Sequence, residues 1–477
     1  MNLNKKPRLF ILTSGLVAFF TITSTAHAHG FGERYDLPMP LLYFIIGAVV
    51  AVGLSFLLVG VFVTSETSAG NFRYEVKLPK WPMGYIGTCS ATWLIKSFSV
   101  FLLALIILTA LFGSNKPIYN FTPTFIWIIW WVGIGFVSAV FGNVWPLINP
   151  WKITFEIAET VSKLFRRGRE VKPFLRYPSD LHGWPVVIIF AVFAWIENVY
   201  WGAAIPRHLA ILVIIYSLVQ WGGMLCFGKQ IWLKNADPFT LIFRFFSKLS
   251  VFEIDYSHRK VFVRPPGWGF FTSSKPHVSI MIFVLILLST VTFDGIKETP
   301  FWNDIYTSLS HLSYTQIDTL GLIVVPAIFI SIYFIFCLSI RYFSRENPNL
   351  ISIGATFAFS LLPIALAYHF AHYLSLLLIP GQAIIPLLSD PFGIGWNLFG
   401  STGYQIKLNA INAKAAWFFS VSVIVIGHVL AVYISHVFAL KMFKSHDNAI
   451  RSQYPMLLLM LIYTAISLWI LSMPIIE

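Results

Sequence analysis

The chain has 477 residues, 57% of them hydrophobic and only 11% charged, with a formal net charge of +13. A soluble domain carries about 25% charged residues, so this balance excludes one and points to a membrane protein. The positive charge is concentrated in particular loops, where membrane orientation explains it, so nucleic acid is not implied as a partner.

The chain opens with Lys5, Lys6 and Arg8, then the apolar run LFILTSGLVAFFTI, then STAHAHG. A basic start, an apolar stretch and small residues at a cut site are the pattern of a secretory signal. Cleavage after Ala28 makes residues 1–28 the signal and leaves His29 first. Cleavage after Ala26 leaves His27 first, and an uncleaved anchor is the other reading.

Apolar runs of 18 or more residues then recur, each long enough to cross a bilayer core as a helix. They lack the alternation of barrel strands, so the expected fold class is all-α, a polytopic transmembrane helical bundle forming one domain over residues 29–477. Ten spans are expected, near 41–63, 93–113, 121–142, 185–205, 208–227, 277–297, 319–341, 350–379, 415–440 and 453–473. Loops 64–92, 143–184, 228–276, 341–349 and 441–452 hold 23 Lys and Arg. The opposite loops hold six: Arg34, Lys116, Arg207, Lys297, Lys407 and Lys414. The positive-inside rule makes the first set cytoplasmic and both ends of the mature chain periplasmic, in a bacterial inner membrane.

The three cysteines, Cys89, Cys226 and Cys337, form no CxxC pair and all fall toward the cytoplasmic side, so neither a zinc ribbon nor a structural disulfide is expected. No GxxxxGK[ST] or GxGxxG stretch is present, which leaves ATP-driven work without support.

An internal echo follows the third and fifth spans: INPWKITFEIAETVSKL and ADPFTLIFRFFSKLSVF. In each, Asn or Asp can cap a helix that opens with Pro. Two amphipathic helices at the cytoplasmic interface, near 149–170 and 237–252, are expected. SDPFGIGWNLFG is a fainter third copy on the other side. A repeated substrate gate is the functional alternative.

The spans carry polar groups. His369 and His372 are three residues apart and share a helix face about 9–15 Å below the outer end of the eighth span. His428 lies near the middle of the ninth span and His436 deeper. Asp294 closes the sixth span, with Glu298 just beyond, and Glu197 lies about 12 Å into the fourth. Ionisable groups at such depth are costly and face partners in the bundle interior. Imidazole with carboxylate is the ligand set of zinc and related divalent metals. His369, His372, His428 and Asp294 are therefore candidate metal ligands, and Glu197 and Asp294 candidate catalytic carboxylates. His29 is a further candidate ligand, because the amine and ring nitrogen of a terminal histidine chelate one ion. Zinc is the first choice of cofactor, with copper or haem iron as alternatives. The competing readings are histidines that only bridge neighbouring helices, a proton relay and bis-histidine haem ligation. His436 fits the bridging role best. Glu197 could pair with Arg207, and Asp294 with Lys297.

The stretches AHGFGERYDLPMPLLYF, TFDGIKETPFW, AYHFAHYLS, LLSDPFGIGWNLFG and GHVLAVYISHVFAL, taken together, resemble bacterial integral-membrane proteins labelled fenitrothion hydrolase. The resemblance covers most of the chain after the signal. It implies hydrolysis of an organophosphorus triester at the bond between phosphorus and the aryl oxygen. Such a substrate is small, neutral and apolar and partitions into the lipid bilayer. The expected function is a membrane-embedded, metal-dependent hydrolase with its site toward the periplasm. A transporter, or a metal- or haem-handling membrane protein using the same groups, is the alternative. Nothing in the sequence names a protein partner.

Overall fold

The computed structural model describes residues 28–29, 34–35, 39–63, 73–75, 89–165, 167, 172–256, 258, 260–272 and 277–473. The expected signal over residues 1–28 lies outside the described residues, apart from the backbone of Ala28. Among the described residues, nine helices are long and apolar enough to cross a membrane. They are α1 (Leu41–Phe62), α2 (Cys89–Phe112), α3 (Phe121–Phe141), α6 (Pro206–Phe227), α9 (Val278–Lys297), α11 (Tyr314–Phe343), α12 (Leu350–Leu378), α13 (Ala413–Met442) and α14 (His446–Ser472). The expected fourth span is a shorter apolar helix, α5 (Trp184–Asn198). Its 15 residues reach about 22 Å, less than the ~30 Å hydrocarbon core, so Glu197 falls in the last turn of the helix rather than deep within it.

Local sequence sets these boundaries. Ser313, Asn349, Asn412 and Ser445 each accept a backbone N–H from the first turn of α11, α12, α13 and α14. Ser313 and Gln316 complete a reciprocal capping box. Within α12 a tight turn at Phe359–Leu361 precedes Pro363, which has no N–H to give to the helix ladder. α3 holds a π-helical stretch over Phe125–Gly133.

α9, α12, α13 and α14 are mostly buried, whereas α1, α2, α6 and α11 are mostly exposed along their length. The bundle is thus an inner group of helices wrapped by an outer one whose apolar side chains face outward, as lipid contact requires. α12 and α13 approach closely: Gly427 sits against Ala367 and the Pro363 carbonyl, leaving no room for a Cβ.

Call the lower end of the bundle the one where α3 ends and α12 begins. There, Tyr74–Glu75 (β3), Phe252–Asp255 (β4) and Lys260–Val263 (β5) form an antiparallel sheet in the order β3-β5-β4. Ala28–His29 (β1) and Arg34–Tyr35 (β2) pair antiparallel next to α14 and α13. The two echoed segments diverge. α4 (Pro150–Phe165) keeps an exposed polar face, as an interfacial helix does. After the short α7 (Lys229–Asn235), α8 (Pro238–Phe246) instead buries Phe239, Leu241, Ile242, Phe243, Phe245 and Phe246 inside the bundle. Its side chains pack against Trp130, Trp131 and Phe193, so apolar contact on every side replaces the expected surface position.

Candidate functional site

The upper end gathers three of the expected residues, and one hydroxyl joins them. His372 Nε2 lies 2.9 Å from Asp294 Oδ2. The Tyr373 hydroxyl lies 2.8 Å from the same carboxylate oxygen and 3.4 Å from Glu197 Oε1. A hydroxyl has a single proton, so Tyr373 donates to Asp294, the nearer acceptor. Glu197 Oε1 also accepts from the Trp131 indole at 2.6 Å. Four helices supply the set: α3 gives Trp131, α5 Glu197, α9 Asp294, and α12 both His372 and Tyr373.

The local frame explains the placement. α5 ends at Asn198, where its last carbonyls lack helical partners and carry partial negative charge. Lys297 Nζ donates to the Asn198 carbonyl at 2.8 Å, which ties the end of α9 to the end of α5 and brings Asp294, one turn earlier, to Glu197. Lys297 therefore supports the site through α5 rather than by pairing with Asp294 directly. Glu197 is held by Trp131, with the Tyr373 hydroxyl 3.4 Å away, and not by Arg207. The His372 and Asp294 side chains keep about a fifth of their surface accessible, at 21% and 20%. The group is therefore open at the upper end. Glu298, just past α9, has its carboxyl pushed above the usual range, chiefly by burial.

His369 is one helical turn below His372 but does not join the hydrogen bonds. Its ring packs against Trp131, Phe246 and Tyr373, with centroids 5.6, 4.9 and 4.7 Å away. Its Nε2 is directed toward Gly135 on α3 and has no hydrogen-bond partner among the described residues. His428 donates through Nδ1–H to the Ile424 carbonyl at 2.8 Å, and its Nε2 has no hydrogen-bond partner among the described residues. His436 bridges helices, with Nδ1 3.0 Å from Gln453 Oε1 and Nε2 2.7 Å from the Val63 carbonyl. Of His29, only the backbone is described, in β1 beside α14.

Among the described residues, no three His, Cys, Asp or Glu side chains are grouped to hold one ion. His369, His372 and His428 form no such group among the described residues, and aromatic rings surround His369. What does converge is an imidazole–carboxylate pair with a phenol and a second carboxylate. That arrangement can take up and pass on a proton.

Tyr373 and Trp131 carry no polar signal in a chain so rich in aromatics. The adjacency of Tyr373 to His372 is the one hint the sequence offers. No family model, curated protein or solved structure matches this chain.

Proposed function

We propose that the protein is a membrane-embedded hydrolase that attacks an apolar ester with water activated by His372. The Asp294–His372 contact at 2.9 Å, within an accessible end of an apolar bundle, carries this reading. With Nε2–H directed to the Asp294 carboxylate, the His372 Nδ1 lone pair is the base. It removes a proton from water as the water oxygen bonds to the electrophilic centre, and the alkoxide or phenolate leaves with the bond electrons. Asp294 holds the imidazole orientation and stabilises the imidazolium that forms, the role such a carboxylate plays in hydrolytic triads. Tyr373, positioned by that carboxylate, and Glu197, fixed by Trp131, shape the rest of the pocket.

The motif resemblance to fenitrothion hydrolases supports an aryl dialkyl phosphotriester or phosphorothioate as the substrate class. The split of basic residues between loops supports an upper end facing the periplasm. No step is assigned to a metal. Transport is the less supported reading, since apolar rings rather than polar groups surround His369 one turn below His372.

The test is release of the phenolate from a chromogenic aryl phosphotriester by purified protein in detergent. Wild type should turn over, and Asp294→Asn and His372→Ala should fall to background. An inert wild type would sink the substrate class, and fully active variants would remove the pair from the chemistry.

A further inference from the structure

A cavity of about 1040 Å³ lies between α2, α3, α5 and α6. Its wall is almost wholly apolar, with Trp130, Trp151, Phe193 and Phe239 at its back. Its opening is sideways: the lining residues Phe98, Ile188, Val192 and Ile215 are exposed on the bundle surface within their helices. A chamber of this kind, opening where lipid chains lie, is filled by hydrocarbon, because water gains nothing there.

Its length and its lower rim narrow the occupant. Lining residues run from Phe121, the first residue of α3, and Leu388 at the upper end to Trp145 and Trp151 at the lower end, a slot long enough to hold acyl chains. At the lower rim, Lys96 lies between the lining residues Ile95 and Phe98, and Lys152 directly follows the lining residue Trp151. Lys96, Lys152 and Lys229 gather around Glu156, at 3.2, 3.8 and 3.5 Å, and Lys229 also meets Glu159 at 2.8 Å. Three cations around two carboxylates leave one positive charge uncompensated beside the chamber mouth.

We propose that this chamber binds an anionic phospholipid, its acyl chains in the cavity and its phosphate group at Lys96, Lys152 and Lys229. The arrangement joins a long apolar slot to a basic rim at its lower end, and neither part alone selects such a lipid. The site is independent of the hydrolytic reading, because none of Trp131, Glu197, Asp294, His372 and Tyr373 lines it.

The experiment is native mass spectrometry of delipidated full-length protein mixed with phosphatidylglycerol and phosphatidylcholine of identical chains. Wild type should retain phosphatidylglycerol preferentially, by about fivefold for each lysine engaged. The preference should shrink at high salt. The Lys96→Gln/Lys152→Gln variant should keep lipid but lose the preference, and Leu212→Trp, which fills the chamber, should retain neither lipid. Equal retention of the two lipids by wild type would overturn the head-group assignment. Undiminished retention by Leu212→Trp would overturn the chamber. The salt series on wild type needs no substitution, so a variant that misfolds does not rescue the idea.

Discussion

Two aspartates at opposite ends of the bundle show how differently one side chain can be used. Asp237, at the start of α8, is 1% exposed. It accepts from the Phe239 N–H at 3.0 Å, the Tyr216 hydroxyl at 2.8 Å, the Thr240 hydroxyl at 2.5 Å and the Asn149 amide at 3.3 Å. Every donor is neutral and none is a base near physiological pH. Asn149 is the cap residue of the echoed segment, so the two Asx-Pro motifs meet and hold each other. Asp294 has fewer partners, and one of them is an imidazole with a free nitrogen at an accessible surface. A carboxylate saturated by neutral donors fixes a fold. One that shares its proton donors with a titratable group, and keeps an opening, is equipped for chemistry.

The largest effects should separate these two roles. Asp294→Asn and His372→Ala should each lower hydrolysis by about 10²–10⁴-fold, the usual worth of positioned acid–base catalysis, while thermal unfolding in detergent changes little. Asp237→Ala should do the reverse. It strands at least three buried donors, each costing about 1–3 kcal/mol, so the unfolding midpoint should drop sharply while the folded fraction keeps its rate. If Asp237→Ala loses activity without losing stability, the contrast between the two aspartates fails.

A smaller effect should come from Tyr373→Phe. The hydroxyl donates to Asp294 and lies near Glu197, so its loss removes one charge-assisted hydrogen bond, about 1.5–3 kcal/mol, or roughly tenfold to a hundredfold in kcat/KM. Restoration of the wild-type rate by Tyr373→Phe would show that the phenol only packs.

Much of this molecule was legible in its residues. Long apolar runs specify membrane helices because lipid gives backbone groups no alternative partner, and the ends of α1, α3 and α9 fall within two residues of their expected places. The pairing of Asp294 with His372 lies within the candidate set, since polar groups at like depth in adjacent helices seek each other. Three things were hidden. The packing of His369 among aromatic rings from α3 and α8 depends on neighbouring helices, and spacing along one helix cannot report it. The early end of α5 depends on the turn at 199–205, where Trp127 donates to the Ala203 carbonyl across the bundle. The burial of α8 reverses what the basic residues of its segment suggest: Arg244 on the helix and Lys248 just after it lie near Arg264, and the apolar face is wide enough to be enclosed.

That enclosure gives the finest test of the lower end. Lys248 follows α8, and its Nζ donates to the Gly269 carbonyl at 2.9 Å. Burial, reinforced by Arg244 and Arg264 and opposed by Glu253, pushes its amine down from 10.5 to about 7. Between those two values the unfolded chain binds the proton that the folded chain has released. Stability therefore rises with pH across that window, by at most about 1.4 kcal/mol per unit, and the penalty is complete below it. Lys248→Met removes the titration and keeps most of the apolar stem. Its unfolding midpoint should change less than wild type's between pH 7 and pH 9, and at pH 7 it should be the higher of the two. Parallel pH dependence in the two proteins would mean that the amine reaches water, and that the lower end is less tightly closed around α8 than its packing indicates.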